Sequence, residues 1–212
     1  MALTGLDIYK LLPKTNCKKC GRPTCLAFAM QLAQKKANLS DCPDVSEEAK
    51  KVLGAASAPP IKLVTVGTGA KKVEVGEENV LFRHEEKFYH PAGVAVTISD
   101  DLSDTDFNDR LKKINSLKIS RVGTEIEIDL VAIINKSNDA NKFAEAAKKV
   151  SSGSHLSIIL SSTSLENMKA ALATCAEKRP LIHGANSQNC EDMAALAKEK
   201  KCPMTVTAPV LE

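Results

Sequence analysis

Four of the seven cysteines fall within the first 42 residues, at Cys17, Cys20, Cys25 and Cys42. Their pattern is C-x2-C-x4-C-x16-C-P. Four thiolates are the ligand set of an iron–sulfur cluster or of a structural zinc. A zinc ribbon prefers two C-x2-C knuckles, and only the first pair here has that form. Cys25 arrives after Gly21 and Pro23, which suits a loop wrapped around something bulkier than one ion. The fourth cysteine comes from a distant loop and precedes Pro43, as in many ferredoxin-type sites. The spacing points to [4Fe–4S], with zinc as the alternative. Four unliganded thiols would leave the order of loop, helix and loop around the cysteines without a purpose. An odd cysteine total and an N-terminus without a charged head and apolar core argue against a secreted disulfide framework. The expected compartment is a reducing cytoplasm. Cys175, Cys190 and Cys202 are expected to be ordinary buried thiols.

The residues around the cluster are consistent with a negatively charged guest. Thr24 is an expected N-cap, with a helix running from Cys25 to about Ala37 on the apolar positions Leu26, Ala29, Met30 and Ala33. Its positive N-terminal end would face the thiolates. Gly21 permits close backbone approach, so that amides can donate to sulfur. Lys14, Lys18, Lys19 and Arg22 surround the motif, and residues 1–60 carry nine Lys+Arg against five Asp+Glu. The remainder carries twenty against twenty-one, so the net charge of +3 originates in the cysteine-bearing segment. These basic residues form either a solvated surface or a docking patch for an acidic electron donor. No aromatics interleave with them to stack bases, which disfavours nucleic acid as a partner.

A short helix is expected over Leu6–Leu12, stopping at Pro13, and another after Ser46, with acids in its first turn and Gly54 near its end. A-A-S-A-P-P then reads as a linker, with a domain boundary near Pro59. Short antiparallel strands are expected over Ile61–Val66, Lys72–Val75 and Val80–Arg83. From Val94 the texture alternates: strands over Val94–Ile98, Ile128–Ile134, Leu156–Leu160, Pro180–His183 and Pro203–Thr207, and helices over Asp104–Ser116, Asp139–Val150, Leu165–Glu177 (capped by Ser164) and Asn189–Lys200. That alternation means βαβ units and a parallel sheet. Five strands could complete an open doubly wound sheet, whereas a (β/α)8 barrel needs eight and typically ~250 residues. No apolar run approaches the ~18–20 residues of a membrane span.

Other sites are weak. Neither G-x-G-x-x-G nor G-x-x-x-x-G-K-[ST] occurs, and Gly67–Lys72 reads as a turn. His183 ends a parallel strand, where such folds place ligands, but a surface or core-edge role is commoner. His84 and His90 flank Phe88-Tyr89 without a ligand set, and His155 is expected to be exposed. Asp100, Asp101, Asp104 and Asp106 follow a strand end, where capping and solvation compete with cation binding. No nucleophile–base arrangement is readable from spacing.

The segment L-T-G-L-D-I-Y-K-L-L-P-K-T-N-C-K-K-C-G-R-P-T-C-L-A-F-A-M, completed by D-C-P, resembles the four-iron domain of the large (gamma) subunit of the corrinoid iron–sulfur protein family of the Wood–Ljungdahl acetyl-CoA pathway. The module alone also resembles one in an Rnf-complex subunit. The continuation sharpens the match: the A-P-P linker, G-x-E-x-V-L-F-R-H-E-x-x-F-Y-H-P over Gly76–Pro91 and the βα repeats are all similar to that large subunit. The resemblance implies that Cys17, Cys20, Cys25 and Cys42 ligate the cluster, in a helical [4Fe–4S] domain over 1–58, followed by part of a (β/α)8 (TIM-type) barrel over 59–212. It implies a methyl carrier between a methyl-pterin and acetyl-CoA synthase, with the cluster returning Co(II) to Co(I). Implied partners are the family's small subunit, a pterin methyltransferase, CO dehydrogenase/acetyl-CoA synthase and a low-potential ferredoxin-like donor. The family continues into the rest of the barrel and a corrinoid-binding domain. Neither lies within these 212 residues, so the chain is expected to be partial and no residue is assigned to the corrinoid. The readings from other classes are an Rnf-like electron-transfer module and a zinc-stabilised interaction module. An Rnf-like module should carry further ferredoxin-type cysteine sets, and none is found.

Overall fold

The computed structural model describes residues 4–34, 37, 39–57, 61–78, 80, 82, 84–85 and 87–208. The chain divides into two compact units, Met1–Lys62 and Leu63–Glu212. The linker residues Ala58, Pro59 and Pro60 lie outside the described residues.

Among the described residues the first unit contains three α-helices. In α1 (Gly5–Leu11) the Thr4 hydroxyl accepts from the Asp7 N–H, and Pro13 follows the end. In α2 (Cys25–Ala33) the Thr24 hydroxyl accepts from the Ala27 N–H at 3.1 Å, as its N-cap position requires. This helix stops short of the expected Ala37, at a Gln34 cap. In α3 (Glu47–Ser57) the Ser46 hydroxyl caps Ala49, and Glu47 and Glu48 complement the dipole. It ends at Ser57, with Gly54 near its end as expected. Ile8, Leu12, Phe28, Ala29, Leu32, Val45, Ala49 and Leu53 form the interior, together with Cys25 and Cys42.

The second unit opens with an antiparallel pair, β1 (Val64–Val66) and β2 (Val73–Val75). The third strand expected, over Val80–Arg83, is not seen: Val80 and Phe82 are not in a strand, and Leu81 and Arg83 lie outside the described residues. The βα alternation then follows the sequence closely: β3 (Ala95–Ser99) and α4 (Asp104–Ser116). Next comes a hairpin that the sequence reading missed, β4 (Lys118–Arg121) and β5 (Thr124–Glu127). Its turn is Val122-Gly123, with φ of 50° and 75°, the two left-handed positions of a two-residue hairpin loop. The chain continues through β6 (Leu130–Ile134), α5 (Ala140–Gly153), β7 (Ser157–Ser161), α6 (Leu165–Cys175), β8 (Leu181–Ala185), α7 (Cys190–Lys200) and β9 (Met204–Val206).

β3, β6, β7, β8 and β9 form one five-stranded parallel sheet in that order. Among the described strands the order does not reverse, and they form no switch point of the doubly wound kind. Ile98, Ile133, Leu160 and Ile182 stand in register and are at most 1% exposed. They share a core with Phe107, Phe143, Met168 and Met193 from the four helices. One residue further along each strand, the row Ser99, Ile134, Ser161 and His183 turns to the opposite face. There Ile134 is 38% exposed and His183 is exposed.

Candidate metal centre

The cysteine loop is pinched shut at its base. The Asn16 side chain accepts from the Cys25 N–H at 2.8 Å, and the Asn16 N–H lies 3.4 Å from Cys25 Sγ. Between them the chain curls through left-handed positions at Lys18 and Gly21, with Lys14 and Asn16 left-handed just before, at φ of 61°, 74°, 58° and 48°. Three of these four are not glycine, and each such position costs on the order of 1 kcal/mol. Cys25 opens α2, so its thiol stands at the positive end of that helix.

Cys42 follows a 3₁₀ turn over Leu39–Asp41, its N–H donating to Leu39 O at 3.3 Å. Asp44 stitches this segment to the loop. It accepts from Lys19 Nζ at 3.0 and 3.1 Å, and Cys17 Sγ lies 3.6 Å from it. The Lys19 hydrogen bond holds the Asp44 carboxyl below its ordinary value and raises the Lys19 ammonium in return. Cys25 and Cys42 are buried in the unit's interior, Cys20 packs against it half-buried, and Cys17 is exposed. Burial pushes the Cys42 thiol up, and Cys20, Cys17 and Cys25 add to this through their charge. Among the described residues no three His, Cys, Asp or Glu side chains converge as ligands of a single ion.

The donors present suit an anionic sulfur cluster. One further feature fits it: Arg22 Nε is buried with no hydrogen-bond partner. The basic patch is smaller than its four residues suggested, since Lys19 is committed to Asp44 and Arg22 is part-buried. Asn16, Asp44 and the buried part of Arg22 were not singled out by spacing. Asn directly before the first Cys, with a side chain apt to bond nearby backbone, was the available signal for Asn16.

The other candidates resolve into structure. Asp100 is buried and accepts from the N–H groups of Lys136 and Ser137, from Asn135 Nδ2 and from Ser137 Oγ, at 2.7–2.9 Å. Asp101 pairs with Lys136, Asp104 with Lys149, and Asp106 accepts from Ser103 Oγ. His183 Nδ1 meets Ser161 Oγ at 3.1 Å on the open sheet face, and His155 is exposed. His90 Nδ1 meets Gly76 O, while His84 stacks on Phe82. Burial pushes the Cys175 thiol up to about 11 and raises Cys202 as well, and both are buried, as expected. Cys190 departs from expectation, being only half-buried at the start of α7.

A family model described as the CO dehydrogenase/acetyl-CoA synthase delta subunit matches residues 63–210. The chain belongs to this family. A second model, described as "Putative Fe-S cluster", matches residues 12–43, which contain all four clustered cysteines. The corrinoid/iron-sulfur protein large subunit of Moorella thermoacetica is 45% identical over 212 residues, covering 100% of this chain and 48% of that protein. The acetyl-CoA decarbonylase/synthase complex subunit gamma of Methanothermobacter thermautotrophicus is 36% identical over 209 residues, covering 99% and 45%. Subunit gamma 1 of that complex in Methanosarcina thermophila is 39% identical over 207 residues, covering 95% and 44%. The chain thus spans about half the length of the curated relatives it matches. Among the described residues no helix is long and apolar enough to cross a membrane.

Proposed function

We propose that Cys17, Cys20, Cys25 and Cys42 ligate one [4Fe–4S] cluster, and that the chain is the iron–sulfur part of a corrinoid methyl-carrier subunit. The observation that carries this reading is the grip of Asn16 on Cys25. It sets one thiol at the N-terminus of α2 and closes the loop bearing Cys17 and Cys20. A cubane spans more than one ion, so its ligands need not converge as those of zinc must.

In this reading Cys25 and Cys42 anchor the cluster on the buried side, and Cys17 and Cys20 form its exposed rim. Asn16 orients Cys25, and Lys19–Asp44 holds the loop beside the Cys42 segment. When bound, the cluster supplies one low-potential electron, the chemistry needed to restore Co(I) from Co(II) in a methyl-transferring corrinoid. The methyl group would pass from a methyl-tetrahydropterin or methyl-folate to acetyl-CoA synthase. Partners would be the small subunit of the corrinoid protein, a pterin methyltransferase, CO dehydrogenase/acetyl-CoA synthase and a ferredoxin-like donor, in the cytoplasm. The domains would be 1–58 for the cluster and 59–212 for an arc of a (β/α)8 barrel. The unreversed strand order supports such an arc, because successive right-handed crossovers then place every helix on one face.

Anaerobic reconstitution with iron and sulfide tests the ligand set. The reading predicts about four irons per chain and a broad visible absorbance that bleaches on reduction. Cys42→Ser should lose most of both. Stoichiometric zinc with no reducible chromophore would contradict it.

A further inference from the structure

Arg22 lies inside the pinched loop, between Cys20 and Cys25, and its Nε is withdrawn from solvent without an acceptor. A buried donor left unpaired is unfavourable, and more so when it belongs to a charged group. The loop limits where that side chain can go. Gly21 is left-handed at φ 74°, and Pro23 restricts the backbone of Arg22 to extended forms just before the Thr24 cap. No ion pair involves Arg22 among the described residues. Two other buried atoms, Gln31 Oε1, which is unpaired, and Ser99 Oγ, which meets Asp101, differ in kind. Gln31 offers an acceptor, which a sulfur cage cannot satisfy, and Ser99 lies in the other unit.

We propose that Arg22 Nε–H donates a hydrogen bond to sulfur of the cluster held by the four cysteines, making Arg22 a positioning residue that raises the reduction potential. This rests on the ligand reading above. Thiolate and sulfide carry more negative charge after the cluster accepts an electron, so a cationic donor at sulfur favours the reduced form. The bond also explains why Nε is withdrawn from water between the exposed residues Gly21 and Pro23. Arg22 is thereby removed from any docking patch, which leaves Lys14, Lys18 and the Asp44-paired Lys19 as the exposed cations of the loop.

The test uses the full chain reconstituted with iron and sulfide and labelled with 15N-arginine. Pulsed EPR of the reduced cluster should show a 15N coupling that vanishes in Arg22→Met. A redox titration should place the midpoint of Arg22→Met below the parent by about 59 mV or more, a tenfold shift of a one-electron equilibrium. Arg22→Lys, which keeps the charge, should recover part of that shift. A parent protein with four irons but no 15N coupling overturns the inference and leaves the ligand reading intact. So does an unchanged midpoint in both variants. A chain that takes up no iron–sulfur cluster overturns both.

Discussion

The two units are stabilised by different means. In the second, 24 buried apolar residues form one described core, and the row Ile98, Ile133, Leu160 and Ile182 crosses four of the five strands of the parallel sheet. In the first, the described core has ten residues, and two of them are Cys25 and Cys42. A unit this small buries a limited share of its surface and commonly relies on a metal or a disulfide. The first unit also holds three non-glycine residues at left-handed φ within five positions, at Lys14, Asn16 and Lys18. Such strain needs a source of compensation, which a cluster bound as proposed would supply. A parallel sheet can stand on its own burial, whereas the cysteine unit, in the proposed reading, would be organised around a guest.

Core truncations should break that contrast most strongly. Leu160→Ala should cost about 2–5 kcal/mol in urea unfolding, with no rescue by iron and sulfide. Phe28→Ala, at 1% exposure in the first unit, should cost about 3–5 kcal/mol, and cluster loading should recover much of it through binding linkage. Equal rescue of both variants would erase the distinction. Asp100→Ala should come next, at about 3 kcal/mol, because it strands several part-buried donors at the sheet's carboxyl end. Its signature is a lower midpoint for the second unit alone.

Acid should also separate the units. Lys118 and Lys71, each 2.8 Å away, hold the Glu127 carboxyl at about 2, against an ordinary 4.5. A depressed folded value contributes stability that is present above pH 4.5 and is lost as pH falls towards 2. Glu127→Gln should therefore be the less stable protein at neutral pH, and the gap should close through that window. A gap that stays constant would remove the ion pairs from the account. The smallest effect is expected at the hairpin turn, where Val122 is 97% exposed at φ 50°. Val122→Asn should stabilise the second unit by about 1 kcal/mol in thermal melts, since Asn tolerates that conformation.

Legibility in the sequence followed the same division. The βα repeats were readable because β-branched runs such as Leu130–Ile134 alternate with amphipathic segments, and Ser164 caps its helix as expected; Ser103 and Asp139 also cap, though the sequence reading did not single them out as caps. The β4–β5 hairpin was missed because Lys118–Arg121 and Thr124–Glu127 are short and polar, and Val-Gly is a weak turn signal. The four cysteines were legible from spacing alone. Their supports were less so. Asn16 and Arg22 look like ordinary loop residues until the chain closes on Cys25, and Asp44 meets Lys19 only through a contact between distant segments. Pairings made by tertiary closure leave no periodic trace.

Hydrogen exchange read by mass spectrometry, on the chain with and without iron and sulfide, tests the central contrast most directly. The account predicts that cluster loading slows exchange sharply across α1, α2 and α3, while the strands Ala95–Ser99 to Met204–Val206 exchange at the same rate in both states. Full protection of the first unit without the cluster, or no change on loading it, would contradict the claim that this unit is built around its guest.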